Sequence, residues 1–178
     1  MAVKRKTEFI LDHRFDPKSC RHYVNGRPSV LHCHHYASLY TQLAEDCGML
    51  DGKKLLAEVA EESFYEVLSD YYCQHNISGI EDRVAIAEQY YGITGMGEMI
   101  VTCAGPDSGE VKLLHSHVDE GWIKRWGKRK QPVNFITIGY ISGLFAAVFN
   151  RSLKSYSVTE NLSIVSGAEY SSFNVVAN

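Results

Sequence analysis

Between residues 51 and 75 the apolar side chains Leu55, Leu56, Val59, Ala60, Phe64, Val67, Leu68 and Tyr71 recur three and four positions apart. That is the spacing of one helix face, and Glu58, Glu61, Glu62 and Glu66 fall on the other. Asp51-Gly52 opens this helix, which runs to about His75. Upstream, Asn25-Gly26-Arg27-Pro28 is a strong turn signal, and Ser29 reads as the N-cap of a helix over about residues 30–46, ended by Gly48. Cys33, Tyr36, Leu39, Tyr40, Leu43 and Cys47 make its expected inward stripe. A third helix spans about residues 80–91 and stops before Gly92.

The period then changes. Gly97 to Cys103 and Glu110 to Val118 read as strands joined across Gly105-Pro106-Asp107-Ser108-Gly109, a hairpin signal. A short basic helix follows over about residues 119–129, and Pro132 precedes a strongly apolar helix over about residues 133–149. From Leu153 to Val176 the chain alternates like antiparallel strands, broken at Gly167. This order predicts an α+β fold, with N-terminal helices packed on an antiparallel sheet. Residues 1–28 read as an irregular leader and 29–178 as a single domain, long enough for a sizeable core.

Charge and cysteine usage narrow the function classes. A net charge of −3 gives no global attraction to nucleic acid or to an anionic membrane. The basic opening Met1-Ala2-Val3-Lys4-Arg5-Lys6 is followed only by Phe9, Ile10 and Leu11 before Asp12, too short for a signal-peptide core. No stretch approaches the roughly 20 apolar residues of a membrane span. Five cysteines, with no Cys-x-x-Cys pair, fit a reduced cytoplasmic protein.

Histidine is the conspicuous chemistry. Five of the eight histidines lie between His13 and His35, and two more form His115-Ser116-His117. On a helix, His32 and His35 share a face, whereas His34 aligns with Ser38, Thr41 and Glu45 on a polar face. In a strand, His115 and His117 point to one side and Ser116 to the other, which argues against a serine nucleophile. His32, His35, His115 and His117 are therefore the expected metal ligands, zinc or iron, provided the two pairs converge. The competing reading is hydrogen-bonded structural histidines. Trp122-Ile123-Lys124-Arg125-Trp126 places cations beside tryptophans, which reads first as a solvated helix face with the tryptophans packed inward. Lys124 or Arg125 could also pair with a ligand carboxylate.

The helix Gly139-Tyr140-Ile141-Ser142-Gly143-Leu144-Phe145-Ala146-Ala147-Val148-Phe149 carries a Gly-x-x-x-Gly spacing. It leads to Ser157-Val158-Thr159-Glu160, then Gly167, then Tyr170-Ser171-Ser172-Phe173-Asn174-Val175. Over residues 135–176 this resembles the C-terminal half of the 4-vinyl reductase domain, a small-molecule-binding family, and more vaguely over the helix of residues 51–74. The resemblance implies a fold similar to ligand-binding domains of nitric-oxide signalling and Golgi-transport proteins. It also implies a buried pocket for a small apolar or aromatic molecule, and often a homodimer. Members of the family often carry cysteines after the glutamate and near the start of the last strand, where they help bind zinc. Here the matching positions are Asn161 and Ser171 or Ser172, which supply no thiolate.

The expectation is a ligand-binding sensor, carrier or accessory protein, with Tyr36, Tyr40, Trp122, Lys124 and Arg125 at the ligand, and with Gly139–Gly143 and a sheet edge available to a second copy. The alternative is a metal-dependent hydrolase or lyase using the histidines.

Overall fold

A computed structural model describes residues 7–178, so the basic opening of residues 1–6 lies outside the described residues. Its centre is helix α5 (Phe135–Val148), preceded by α1 (His34–Asp46), α2 (Gly52–Gln74), α3 (Ile80–Ile93) and α4 (His117–Trp126). Strands β4 (Gly97–Ala104), β5 (Ser108–Ser116), β6 (Tyr156–Leu162) and β7 (Ser171–Ala177) form an antiparallel sheet in the order β4-β5-β7-β6. The α+β expectation holds, and the larger boundaries fall within a few residues of the sequence reading.

α5 is buried on nearly every face, as a helix apolar all round must be. One side lies on the sheet, where Val111 pairs with Phe173 and Gly109, Val111 and Leu113 of β5 turn inward. The other side lies on α2. A Cβ at position 139 would meet the Ala57 carbonyl oxygen at 2.1 Å, and one at 143 the Glu61 carbonyl oxygen at 2.7 Å. The two glycines thus let α2 and α5 approach backbone to backbone within the chain. Gly139 and Gly143 serve this internal contact, and the expectation that they face a second copy is corrected.

Three further readings are revised. The leader is not irregular, because β1 (His13–Asp16), β2 (Arg21–Val24) and β3 (Arg27–Ser29) form a small antiparallel sheet. Helix α1 begins at His34 rather than after Ser29, whose hydroxyl donates to the Arg27 carbonyl within the small sheet. The face of α1 is also reversed. Ala37, Ser38, Thr41 and Ala44 are buried, while Tyr36, Leu39, Tyr40 and Leu43 are about half exposed and Cys33 and Cys47 lie at the surface. The cause is closeness: α1 packs on α4 so tightly that a Cβ at Gly121 would meet His34 Cβ at 2.7 Å. Only small side chains fit there, and Thr41 satisfies its hydroxyl on the Ala37 carbonyl at 2.9 Å.

On α2, Leu55 and Val59 are exposed, whereas Glu61 is buried and accepts the Lys154 backbone N–H at 2.7 Å. All five cysteines are unpaired. Among the described residues no helix is long and apolar enough to cross a membrane.

Candidate functional site

A cavity of about 590 Å3 opens where the small sheet meets the helical body. Leu11, His13, Val24 and Ser29 come from the small sheet and its approach, and Val30, Leu31 and His32 from the segment entering α1. Phe64 of α2, Tyr90 and Ile93 of α3, and the turn Thr94-Gly95-Met96 complete an apolar wall. His117 is the remaining lining residue. The volume lies within the roughly 300–1,000 Å3 of small-molecule sites.

The position of His117 follows from how β5 ends. The strand stops at Ser116, whose hydroxyl accepts the Asp119 N–H at 3.0 Å and so caps α4. His117 is already the first helical residue, and its backbone N–H donates to the Met96 carbonyl at 3.0 Å, which fixes it beside the cavity wall. Its ring meets that of His32 edge to face, centroids 5.5 Å apart. Burial, and secondarily the neighbouring His32, hold the His117 pKa below the usual imidazole range, so the ring is neutral at neutral pH. Its Nε2 is buried without a well-formed hydrogen bond, while the ring interacts with the Cys33 backbone. A neutral imidazole nitrogen is a donor or an acceptor according to tautomer, so His117 joins Ser29, His13, His32 and Thr94 as polar groups on a mainly apolar lining.

The other expected metal ligands do not join this pair. His115 remains on β5, exposed, with Nδ1 3.4 Å from a Glu120 carboxylate oxygen. Strand alternation fails for the pair because the chain becomes helical between them. His35 turns outward on α1, 3.3 Å from the Cys33 thiol and with its ring tilted against that of His34, centroids 4.2 Å apart. Among the described residues no group of three or more His, Cys, Asp or Glu gathers as a metal site would require. The four-imidazole centre for zinc or iron is therefore not formed. His32 and His117 converge, and His13 lines the same cavity while bonding His22 on the neighbouring strand at 2.9 Å.

Nor do the expected ligand contacts lie at this cavity. Tyr36 and Tyr40 sit on the outer face of α1. Trp122 is buried in a separate cluster with Ala37, Val118, Val133 and Val165, the Arg129 guanidinium 4.7 Å above its ring. Lys124 is exposed, and Arg125 stacks on the part-exposed Trp126 at 4.8 Å, so only one of the two tryptophans packs inward. Tyr36, Arg125 and Trp126 instead border a shallow apolar cleft of about 320 Å3 between α1 and α4. Phe64, Tyr90, Ile93 and Met96 were not singled out as ligand contacts. Their apolar character is that of any core position, and only the small sheet folding over them makes a cavity.

A buried polar cluster lies behind His117. Asn134 Nδ2 donates to Asp119 Oδ2 at 2.7 Å and to Glu160 Oε1 at 2.8 Å. Asp119 also accepts from Ser163 Oγ, Val165 N and Ser171 Oγ at 3.1–3.3 Å. Burial, with a smaller contribution from Asp119, pushes Glu160 up to about 7. This corner holds the residues compared with the family's zinc-binding positions. Asn161 is exposed, whereas Ser163 and Ser171 point inward, and the Asn134 amide directs N–H donors at both carboxylates. Hydroxyls in place of thiolates, with amide hydrogens aimed at the acidic oxygens, do not fit such a metal.

No family model and no curated protein matches the sequence. Among solved structures, the chain is similar to the phenol-responsive sensory domain of the transcription activator PoxR with phenol, at 15% identity and a TM-score of 0.77, over 93% of this chain and 84% of that one. It is also similar to a trafficking protein particle complex subunit 3 from Naegleria fowleri covalently bound to palmitic acid, at 11% identity and a TM-score of 0.51, over 81% and 96% of the two chains. A vinyl-4-reductase family protein from Methanocaldococcus jannaschii aligns at 16% identity and a TM-score of 0.49, over 69% and 68%. At these identities the likeness is one of fold, the α+β architecture of small-molecule-binding sensory and transport-complex domains.

Proposed function

We propose that the protein binds a small apolar or aromatic molecule carrying a hydroxyl group, and acts as a sensor, carrier or accessory protein of the 4-vinyl reductase type. The observation that carries this reading is the pairing of His117, held neutral by burial, with His32 on the wall of a 590 Å3 cavity lined mainly by apolar side chains. A ligand hydroxyl both donates and accepts, so it pairs with a lining imidazole in either tautomer. A carboxylate finds no lysine or arginine among the described residues that line the cavity. The sensory domain of similar fold was solved with phenol, which supports the aromatic class. Residues from Leu11 to His117 line the cavity, so in this reading the small sheet before residue 29 belongs to the binding unit.

The protein acts as a homodimer in this reading, through the outer face of α1. Tyr36, Leu39, Tyr40 and Leu43 form an exposed apolar stripe there, continued by Met49, Leu50, Leu55 and Val59. Five unpaired cysteines suit a reducing, cytoplasmic setting. The enzyme alternative has two convergent imidazoles, His32 and His117, where it called for four.

Calorimetric titration with phenol, toluene and benzoate tests the binding reading. The expected order is phenol tightest, toluene weaker and benzoate undetected. Binding of benzoate at least as tight as phenol would overturn it.

A further inference from the structure

Asp119 on α4 and Glu160 on β6 are held against one amide group, that of Asn134 at the entrance to α5. Two carboxylates sharing a single NH2 lie close enough that two negative charges would repel strongly in a buried setting. None of the ion pairs among the described residues involves either carboxylate. The partners are divided unequally. Asp119, fully buried, accepts from four donors, enough to hold a charge. Glu160 accepts through Oε1 from Asn134, while its Oε2 is buried without a well-formed hydrogen bond.

We infer that this pair carries one negative charge, on Asp119, with a proton on Glu160 Oε2, in a corner whose residues do not fit the zinc that cysteines help bind in members of the family. A proton converts Oε2 from an unsatisfied acceptor into a donor, towards the Ser163 and Ser171 hydroxyls that already interact with this carboxyl. The titratable groups facing Glu160 are Asp119 from α4 and Tyr91 from α3. Tyr91 is kept protonated by burial and bonds Thr137 Oγ1 at 2.9 Å.

The consequence is a pH-dependent latch. The cluster joins the first turn of α4 to α5, β6 and β7, and that turn also carries His117. The folded Glu160 pKa is raised to about 7, so its contribution to stability is complete below the ordinary glutamate range and is lost as pH rises through about 7. Above that, repulsion between Glu160 and Asp119 loosens the start of α4. An accompanying loss of ligand affinity rests on the cavity reading; the latch itself does not.

The test is infrared spectroscopy of the full chain, with thermal unfolding, across the range from about pH 5 to about pH 9. A protonated-carboxyl stretch is expected near pH 6, absent from Glu160→Gln and lost from the wild type at the alkaline end. The wild-type midpoint is expected to fall by roughly 5 °C between about pH 5 and about pH 7 and to level off above that, with a flatter profile for the variant. Zinc or a chelator should leave both readouts unchanged. Absence of the band at pH 6, or stoichiometric stabilisation by zinc, overturns the proposal. If Glu160→Gln fails to fold, Asp119→Asn replaces it: removing the adjacent charge should move the wild-type band's titration to lower pH, and an unmoved titration would equally overturn the inference.

Discussion

The imidazoles of His32 and His117 meet edge to face with ring centroids 5.5 Å apart, one delivered by the extended segment before α1 and the other by the first residue of α4. This contact marks the polar end of the cavity. It forms because the His117 backbone is pinned to Met96 while the small sheet carries the chain back over Phe64 and Tyr90 to His32.

Replacing the polar atom while keeping an aromatic ring isolates its role. His117→Phe is expected to weaken phenol binding about tenfold, roughly 1.4 kcal/mol, and to leave toluene binding within about twofold. Calorimetric titration of both compounds against both proteins gives the comparison, and equal loss for the two would assign His117 to packing instead.

The α2–α5 contact has no room for a methyl group. Gly139→Ala places a Cβ 2.1 Å from the Ala57 carbonyl oxygen, so it should destabilise the chain by about 2–4 kcal/mol through displacement of two packed helices. Chemical denaturation reads the loss. Sedimentation of the still-folded fraction should show an unchanged oligomeric state, because these glycines face α2.

The outer stripe of α1 makes the opposite prediction. Leu43→Glu, at a half-exposed position, is expected to change thermal stability of the monomer by less than about 0.5 kcal/mol and to shift sedimentation from dimer towards monomer. Identical sedimentation of wild type and variant would remove this face from the dimer proposal.

Arg129 couples α1 to the chain beyond α4. Its guanidinium donates to both oxygens of Glu45 at 2.7 and 2.8 Å and covers the Trp122 ring. The hydrogen bonds from Arg129 hold Glu45 below the usual carboxylate range, against the cost of its burial. A lowered folded pKa means stability present above the ordinary glutamate range and lost as pH falls through the folded value. Arg129→Ala should cost about 1–3 kcal/mol at neutral pH and reduce the acid sensitivity of unfolding, as followed by denaturation at several pH values.

Much of the architecture was legible because its signals are local. Periodicity located the five helices and the four strands of the larger sheet, and the all-apolar α5 announced its own burial. The face of α1 was misread for a definable reason. Its bulky side chains promise more apolar burial, yet helix α4 approaches at Gly121, where only Ala37, Ser38, Thr41 and Ala44 fit. Hydrophobicity ranks what gains from burial; it does not say which face a neighbour can reach.

The candidate site was half legible. The histidine count pointed to His32 and His117, which meet, and equally to His35 and His115, which do not. Turning His115 from His117 takes one change of backbone conformation just after the extended Ser116, whose hydroxyl accepts the Asp119 N–H and donates to Asn134, a residue distant in sequence.

By itself the sequence determined the five helices and the four strands of the larger sheet, their order, and that Gly139 and Gly143 admit a close neighbour, since helical period, strand alternation and glycine spacing act over a few residues. Only the tertiary structure decided which face of α1 is covered, that residues 13–29 fold as a sheet over a cavity, and that Asp119 and Glu160 share one amide. Those outcomes depend on how closely remote backbones pack and on which buried polar atoms find partners, and neither is encoded in any short window of the chain.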